Sequence, residues 1–204
     1  MLTVKDNLMI DIETLSTATN AHILSIGMCD FSLEKGVSQY QGLKKMYQIG
    51  LQEQGRKIDV DTLAFWLKQP KKLFKQQCKV MGSLQDALKE LVDEINLTRE
   101  IHFGSIQDKD INIWCNGASF DFAILKDAFA QYNIPVPWKY YQENCMRSIK
   151  AIFNTHIDGQ IKQEVEERLK KKCIVREAHS ALSDAMWQAE YVSAAINKIK
   201  TYKP

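Results

Sequence analysis

A chain of 204 residues with 45% hydrophobic and 25% charged residues has the composition of one globular domain with one core, which excludes a largely disordered protein. Its 27 basic and 25 acidic residues give a net charge of +2, so bulk charge neither argues for nor excludes a nucleic-acid partner. No apolar run is long enough to span a bilayer and the N-terminal residues lack the apolar stretch of a secretory signal, so a cytoplasmic protein with no membrane partner is expected.

In chain order, Leu8, Met9, Ile10, Asp11 and Ile12 form a short apolar run interrupted by one acid, a strand pattern. Residues 22–31 predict a second strand, a turn follows around Lys35 and Gly36, and residues 37–49 predict a weaker third. Three strands with short connections suggest an antiparallel meander. A short helix is expected from Asp61 to Gln69, ended by Pro70. Lys68, Lys71, Lys72, Lys75 and Lys79 cluster around that break, a solvated face or a track for a nucleic-acid backbone. Ser83 and Asp86 look like a capping arrangement, after which Leu84, Leu88, Leu91 and Ile95 recur at helical spacing.

Ile111 to Cys115 reads as a buried strand, Asn116 and Gly117 turn the chain, and a helix follows over residues 119–131. A short extended piece at Trp138 to Tyr141 supplies a fifth strand before a helix over residues 146–153. Residues 159–172 predict an exposed helix with favourable Glu166–Lys170 and Glu167–Lys171 pairs, within a helical insertion at about 154–177 whose role the sequence does not give. In the last helix Leu182, Ala185, Ala189, Val192, Ile196 and Ile199 form one stripe. The order fits an α/β fold with a mixed sheet covered by helices, in a single domain over residues 1–204. The cysteines Cys29, Cys78, Cys115, Cys145 and Cys173 contain no C-x-x-C pair, which predicts free thiols and gives zinc no support.

Three groups of residues carry chemistry. Asp11 and Glu13, two apart in a strand, point from one face; alone, such a pair is an ordinary strand end at the surface. Asp121 opens a helix, where its charge suits the dipole, yet Phe120, Phe122, Ile124 and Leu125 surround it with apolar residues. His179 and Asp184 form H-x-x-x-x-D at the start of the last helix, a spacing that is weak by itself. The three together, in that order and on those elements, are far more specific than any one of them.

This joint pattern resembles the three motifs of the DEDDh (DnaQ-like) 3′–5′ exonuclease superfamily. Within it the chain is most similar to phage-type exodeoxyribonuclease A and RNase AS-like exoribonucleases. The supporting stretches are residues 9–15, 114–121, Pro137–Trp138, 146–148 and 179–185, while residues 154–177 match nothing recognisable. A histidine at position 179, where some relatives carry tyrosine, gives the "h". The resemblance implies a ribonuclease H-like fold, with three antiparallel strands then two parallel ones flanked by helices. It implies hydrolysis of phosphodiester bonds at the 3′ ends of single-stranded DNA or RNA, with release of 5′-mononucleotides. It also implies a homodimer.

Two Mg²⁺ ions per site, with Mn²⁺ as substitute, suit hard carboxylate ligands and balance four acids. The expected ligands are Asp11, Glu13, Asp121 and Asp184, with His179 as the general base. By resemblance Thr14 and Leu15 contact the terminal nucleotide, Leu15 wedging against a base. Phe120 stacks or fills core, and Arg147 offers a forked donor to phosphate or forms a surface salt bridge. The rival readings are an oligonucleotide-specific phosphodiesterase using the same site and a nucleic-acid-binding module without catalysis, against which the intact five-residue set argues.

Overall fold

The computed structural model describes residues 7–38, 42–78, 82–103 and 111–201. Five strands form one sheet: β1 (Asn7–Thr14), β2 (Ile23–Phe31), β3 (Lys44–Gln48), β4 (Asn112–Cys115) and β5 (Glu143–Cys145). Their order is β3-β2-β1-β4-β5. The first three run antiparallel, while β4 and β5 run parallel to β1. The helices are α1 (Val60–Lys68), α2 (Lys71–Cys78), α3 (Leu84–Phe103), α4 (Asp121–Gln131), α5 (Met146–Lys150), α6 (Thr155–Lys171) and α7 (Ala181–Thr201).

The central strand sets the layers. Successive side chains of a strand point to opposite faces, and β1 is buried on both. Leu8, Ile10 and Ile12 pack with Leu88, Leu91 and Ile95 of α3 and with Phe122, Leu125 and Phe129 of α4. Met9 packs on the other face with Ile161, Val165 and Leu169 of α6 and with Ala185, Ala189 and Val192 of α7. Each large apolar side chain buried this way stabilises by about 1.5–3 kcal/mol. A one-residue slip would exchange the two faces, so the packing fixes the register.

The structure shifts several predicted elements. The third strand is confined to 44–48 within the predicted 37–49, and residues 39–41 lie outside those described. The fifth strand is Glu143–Cys145, not Trp138 to Tyr141. Trp138 is buried against Phe122 and Phe129 instead, and Tyr140–Gln142 coil into a 3-10 turn closed by the Gln142 side chain accepting the Lys139 N–H at 2.7 Å. α5 stops at Lys150 rather than Phe153.

α6 begins at Thr155, where the Asn154 carboxamide accepts the Ile157 N–H at 3.0 Å. Far from being exposed all round, it buries Ile161, Val165 and Leu169 at four-residue spacing against α7. Glu166 turns to Arg176 at 3.3 Å and Trp187 at 2.8 Å. Residues 71–78, read only as part of a basic cluster, form α2, because Leu73 and Phe74 give the segment an apolar face that docks on Trp66. Lys68, Lys71, Lys72 and Lys75 are exposed there, and Lys79 lies outside the described residues. All five cysteines are free. No helix among the described residues is long and apolar enough to cross a membrane.

Candidate active site

Asp11 and Glu13 occupy the Met9 face of β1, where apolar side chains would pack best, and so look toward α7. Asp11 retains 9% of its exposure. From α7, Gln188 Nε2 donates to Asp11 Oδ1 at 2.7 Å. The helix comes this close because the residue paired with Asp11 on β2 is Gly27. A Cβ there would stand 2.1 Å from the Ala181 carbonyl carbon and 2.2 Å from the Leu182 nitrogen. The start of α7 thus rests directly on β2, and Asp184, in its first turn, arrives beside Glu13.

His179 precedes α7 in the left-handed backbone region, at φ 63°. Its N–H donates to Asp184 Oδ2 at 2.8 Å. Its ring meets Phe65 edge-on at 5.2 Å and Trp66 at 6.1 Å between centroids. Trp66 is in turn tied to the end of β1, its indole N–H donating to the Thr14 carbonyl at 2.8 Å. Potential ligand atoms of Glu13, His179 and Asp184 all lie within 4.8 Å of one another. Asp121, the first residue of α4, is 3% exposed and its Oδ2 accepts the Gly117 N–H at 2.9 Å.

The electrostatics join all four acids. Burial, then the charges of Asp121, Glu13 and Asp184, hold the Asp11 carboxyl well above the usual carboxylate range, against the opposing hydrogen bond from Gln188. Glu13 is pushed up to about 8 by burial, then by Asp184 and Asp121. Burial raises Asp121 to about 6, opposed by the Gly117 N–H and the nearby Arg147 charge. Asp184 is also raised by burial, opposed by the His179 amide and by Arg176, 3.6 Å away. Buried like charges of this kind are stable only when protonated or paired with cations.

Arg147 and Arg176 flank the cluster, but two monovalent charges leave four carboxylates under-neutralised. The donor set is oxygen-rich, which fits hard divalent ions such as Mg²⁺ or Mn²⁺. The buried Gln188 Oε1, an acceptor beside Asp11, has no hydrogen-bond partner among the described residues.

The structure therefore brings together the five residues that the three motifs supply. The expected substrate contacts are placed differently from one another. Thr14 is buried and its hydroxyl donates to the Ser16 carbonyl at 2.8 Å. Leu15 is 1% exposed in a small core with Leu24 and Trp66. Phe120 is half-buried against the main core, and Arg147 is exposed beside Gly117. The open apolar surface next to His179 belongs to Phe65, 42% exposed.

Gln188, Phe65 and Arg176 are residues of this site that the sequence reading did not single out. Gln188 lies four residues after Asp184, a spacing that puts both on one helix face and was available as a signal. Phe65 carried none, because its place depends on α1 folding back over the end of β1.

A family model for the 3′–5′ exoribonuclease Rv2179c-like domain matches residues 6–196. No curated protein matches the chain. Among solved structures, that of S. pombe Pop2p in its Mg²⁺- and Mn²⁺-bound form superposes with a TM-score of 0.60 at 15% identity, covering 95% of this chain and 83% of that one. The nuclease domain of 3′hExo, a DEDDh family member bound to rAMP, gives 0.53 at 11% identity over 95% of this chain and 91% of its own. Exonuclease X in complex with 5′ overhanging duplex DNA gives 0.52 at 13% identity over 96% and 94%.

Proposed function

Because the chain belongs to the Rv2179c-like 3′–5′ exoribonuclease domain family, we propose that it removes 5′-mononucleotides from the 3′ end of single-stranded RNA at the site between β1, α4 and α7. The convergence of four mutually repelling acids from three elements carries this reading. Asp11, Glu13, Asp121 and Asp184 would hold two divalent ions, for which an oxygen donor set of charge −4 is suited. When bound, such ions would offset phosphate charge and lower the pKa of the attacking water.

The remaining steps fall to the side chains. His179, within 4.8 Å of the Glu13 and Asp184 ligand atoms, takes the proton of the attacking water. Its imidazole is better used this way than as a ligand, since the hard ions prefer oxygen. Phe65 offers an apolar face to the terminal base beside His179. Thr14 and Leu15, buried at the end of β1, back this site from within the core, and Arg147 contacts phosphate with its forked donors.

End-labelled RNA and DNA of matched sequence test this directly. Single-nucleotide steps from the RNA 3′ end are expected with Mg²⁺ or Mn²⁺, with no activity in excess chelator and none on a blocked 3′ terminus. Full activity in chelator, or efficient cutting of a circular single strand, would sink the proposal.

A further inference from the structure

Beyond the acid cluster, a cavity of about 580 Å³ opens between the β4–α4 turn and helices α5, α6 and α7. Its lining includes Asn116, Arg147, Lys150, Lys162, Trp187 and Tyr191. We propose that this cavity binds the sugar-phosphate backbone of the nucleotides that precede the scissile linkage, so that the protein grips the strand as well as its end. This rests on the exonuclease reading above and extends it.

The cavity is of nucleotide size, within the about 300–1,000 Å³ of ordinary ligand sites. It is also basic. Arg147, Lys150 and Lys162 face it, and the acids around it are already engaged. Asp158 accepts from the Tyr191 hydroxyl at 2.6 Å and pairs with Lys162 at 2.7 Å. Lys150 stands near enough for its charge to favour the ionised form of Asp158. Glu166 pairs with Arg176 at 3.3 Å and accepts the Trp187 indole N–H at 2.8 Å. Trp187 is stacked on Tyr191 at 5.6 Å and capped by the Arg176 guanidinium at 4.6 Å, which makes it a rigid wall.

The cavity adjoins the proposed active site through Asn116, Arg147 and Trp187. The Arg147 guanidinium carbon lies 3.3 Å from where a Gly117 Cβ would stand, and its charge acts on Asp121. Trp187 comes one helical turn after Asp184 and directly precedes Gln188, which binds Asp11. A strand with its last linkage over the acids can therefore enter the cavity past Asn116 and Arg147. The face around α3 is closed to it, because the hollow there is lined by Glu90, Asp93, Glu94 and Glu100, which repel phosphate. The lysines of α1 and α2 are exposed, and for such a charge run a solvated role is the ordinary one.

The test compares a dinucleotide with an octanucleotide of single-stranded RNA, using the full chain with Mg²⁺. Lys150→Gln combined with Lys162→Gln should cut the octamer-to-dimer ratio of kcat/KM about tenfold. The slope of log KM against log salt on the octamer should fall by about 1.4, at ~0.7 per phosphate contact for single strands. The double Lys→Arg variant keeps both charges and should keep the ratio and the slope, which separates lost contacts from misfolding. An unchanged ratio and slope in the Gln variant, or a change only when Lys68, Lys71, Lys72 and Lys75 are replaced, would overturn the proposal. A wild-type protein inert on both lengths would instead overturn the exonuclease reading, and this one with it.

Discussion

His179 holds a backbone conformation, φ 63°, that costs a non-glycine residue about 1–2 kcal/mol. The hydrogen bond from its amide to the Asp184 carboxylate offsets this, being worth about 1.5–3 kcal/mol when the acceptor is charged. Backbone and ring are thus separable: the backbone caps Asp184, while the ring stands between Phe65, Trp66 and the acids. His179→Ala keeps the amide and removes only the ring. Its turnover should fall by about 10²–10⁴, the usual worth of general-base help, with Mn²⁺ affinity by calorimetry and KM much less changed. Near-normal turnover would leave His179 a packing residue. These polar positions were legible in the sequence because they break a rule there: Asp11 interrupts an apolar strand, and Asp121 sits among apolar helix neighbours. Gln188 and Phe65 break no rule, so only the fold reveals them.

At the scale of elements, the site depends on how closely α7 can approach the sheet. Gly27 permits that approach at the position paired with Asp11, and the atoms a side chain would meet are backbone, which cannot swing aside. Gly27→Ala should push the start of α7 outward, carrying Asp184 and His179 with it. Overpacking of this kind costs about 1–3 kcal/mol, read as a lower Tm, and the displaced helix should lower kcat more than tenfold. Gly159→Ala is the control. It lies on the exposed side of α6 with nothing within 4 Å, so it should be neutral or stabilising by up to about 1 kcal/mol. Equal effects of the two substitutions would refute the docking argument. Elements with strong periodicity, such as α3, α4 and α7, were legible in the sequence. α2 and β5 were not, since α2 is held by docking Leu73 and Phe74 on Trp66 of α1 and β5 is three residues long, set by pairing with β4.

For the whole molecule, the acid cluster opposes folding until cations arrive, and this fixes how metal-free stability depends on pH. Glu13 stands at about 8 and Asp121 at about 6 in the folded chain, both above the ordinary carboxylate range that applies when unfolded. Asp11 and Asp184 are shifted the same way. Between the ordinary range and these raised values the native state holds protons that the unfolded chain has released, so stability falls as pH rises. Asp59 and Asp158 act oppositely. Asp59 is held low by its hydrogen bonds from Ser16 and Lys57. Asp158 is held low by Lys162 and Tyr191 in spite of burial. Their contribution is present above the ordinary range and lost in acid. Metal-free protein should therefore be most stable in mild acid and melt progressively lower from about pH 5 to about pH 8. On the proposed function divalent ions would bind the ionised cluster, so the Tm gain from Mg²⁺ should be small at the acid end and largest at the alkaline end. Thermal melts in chelator and in Mg²⁺ across that range read both effects. A metal-free Tm that stays level or rises with pH would mean the four carboxylates are neutralised by the protein itself, and the case for two divalent ions would fall with it.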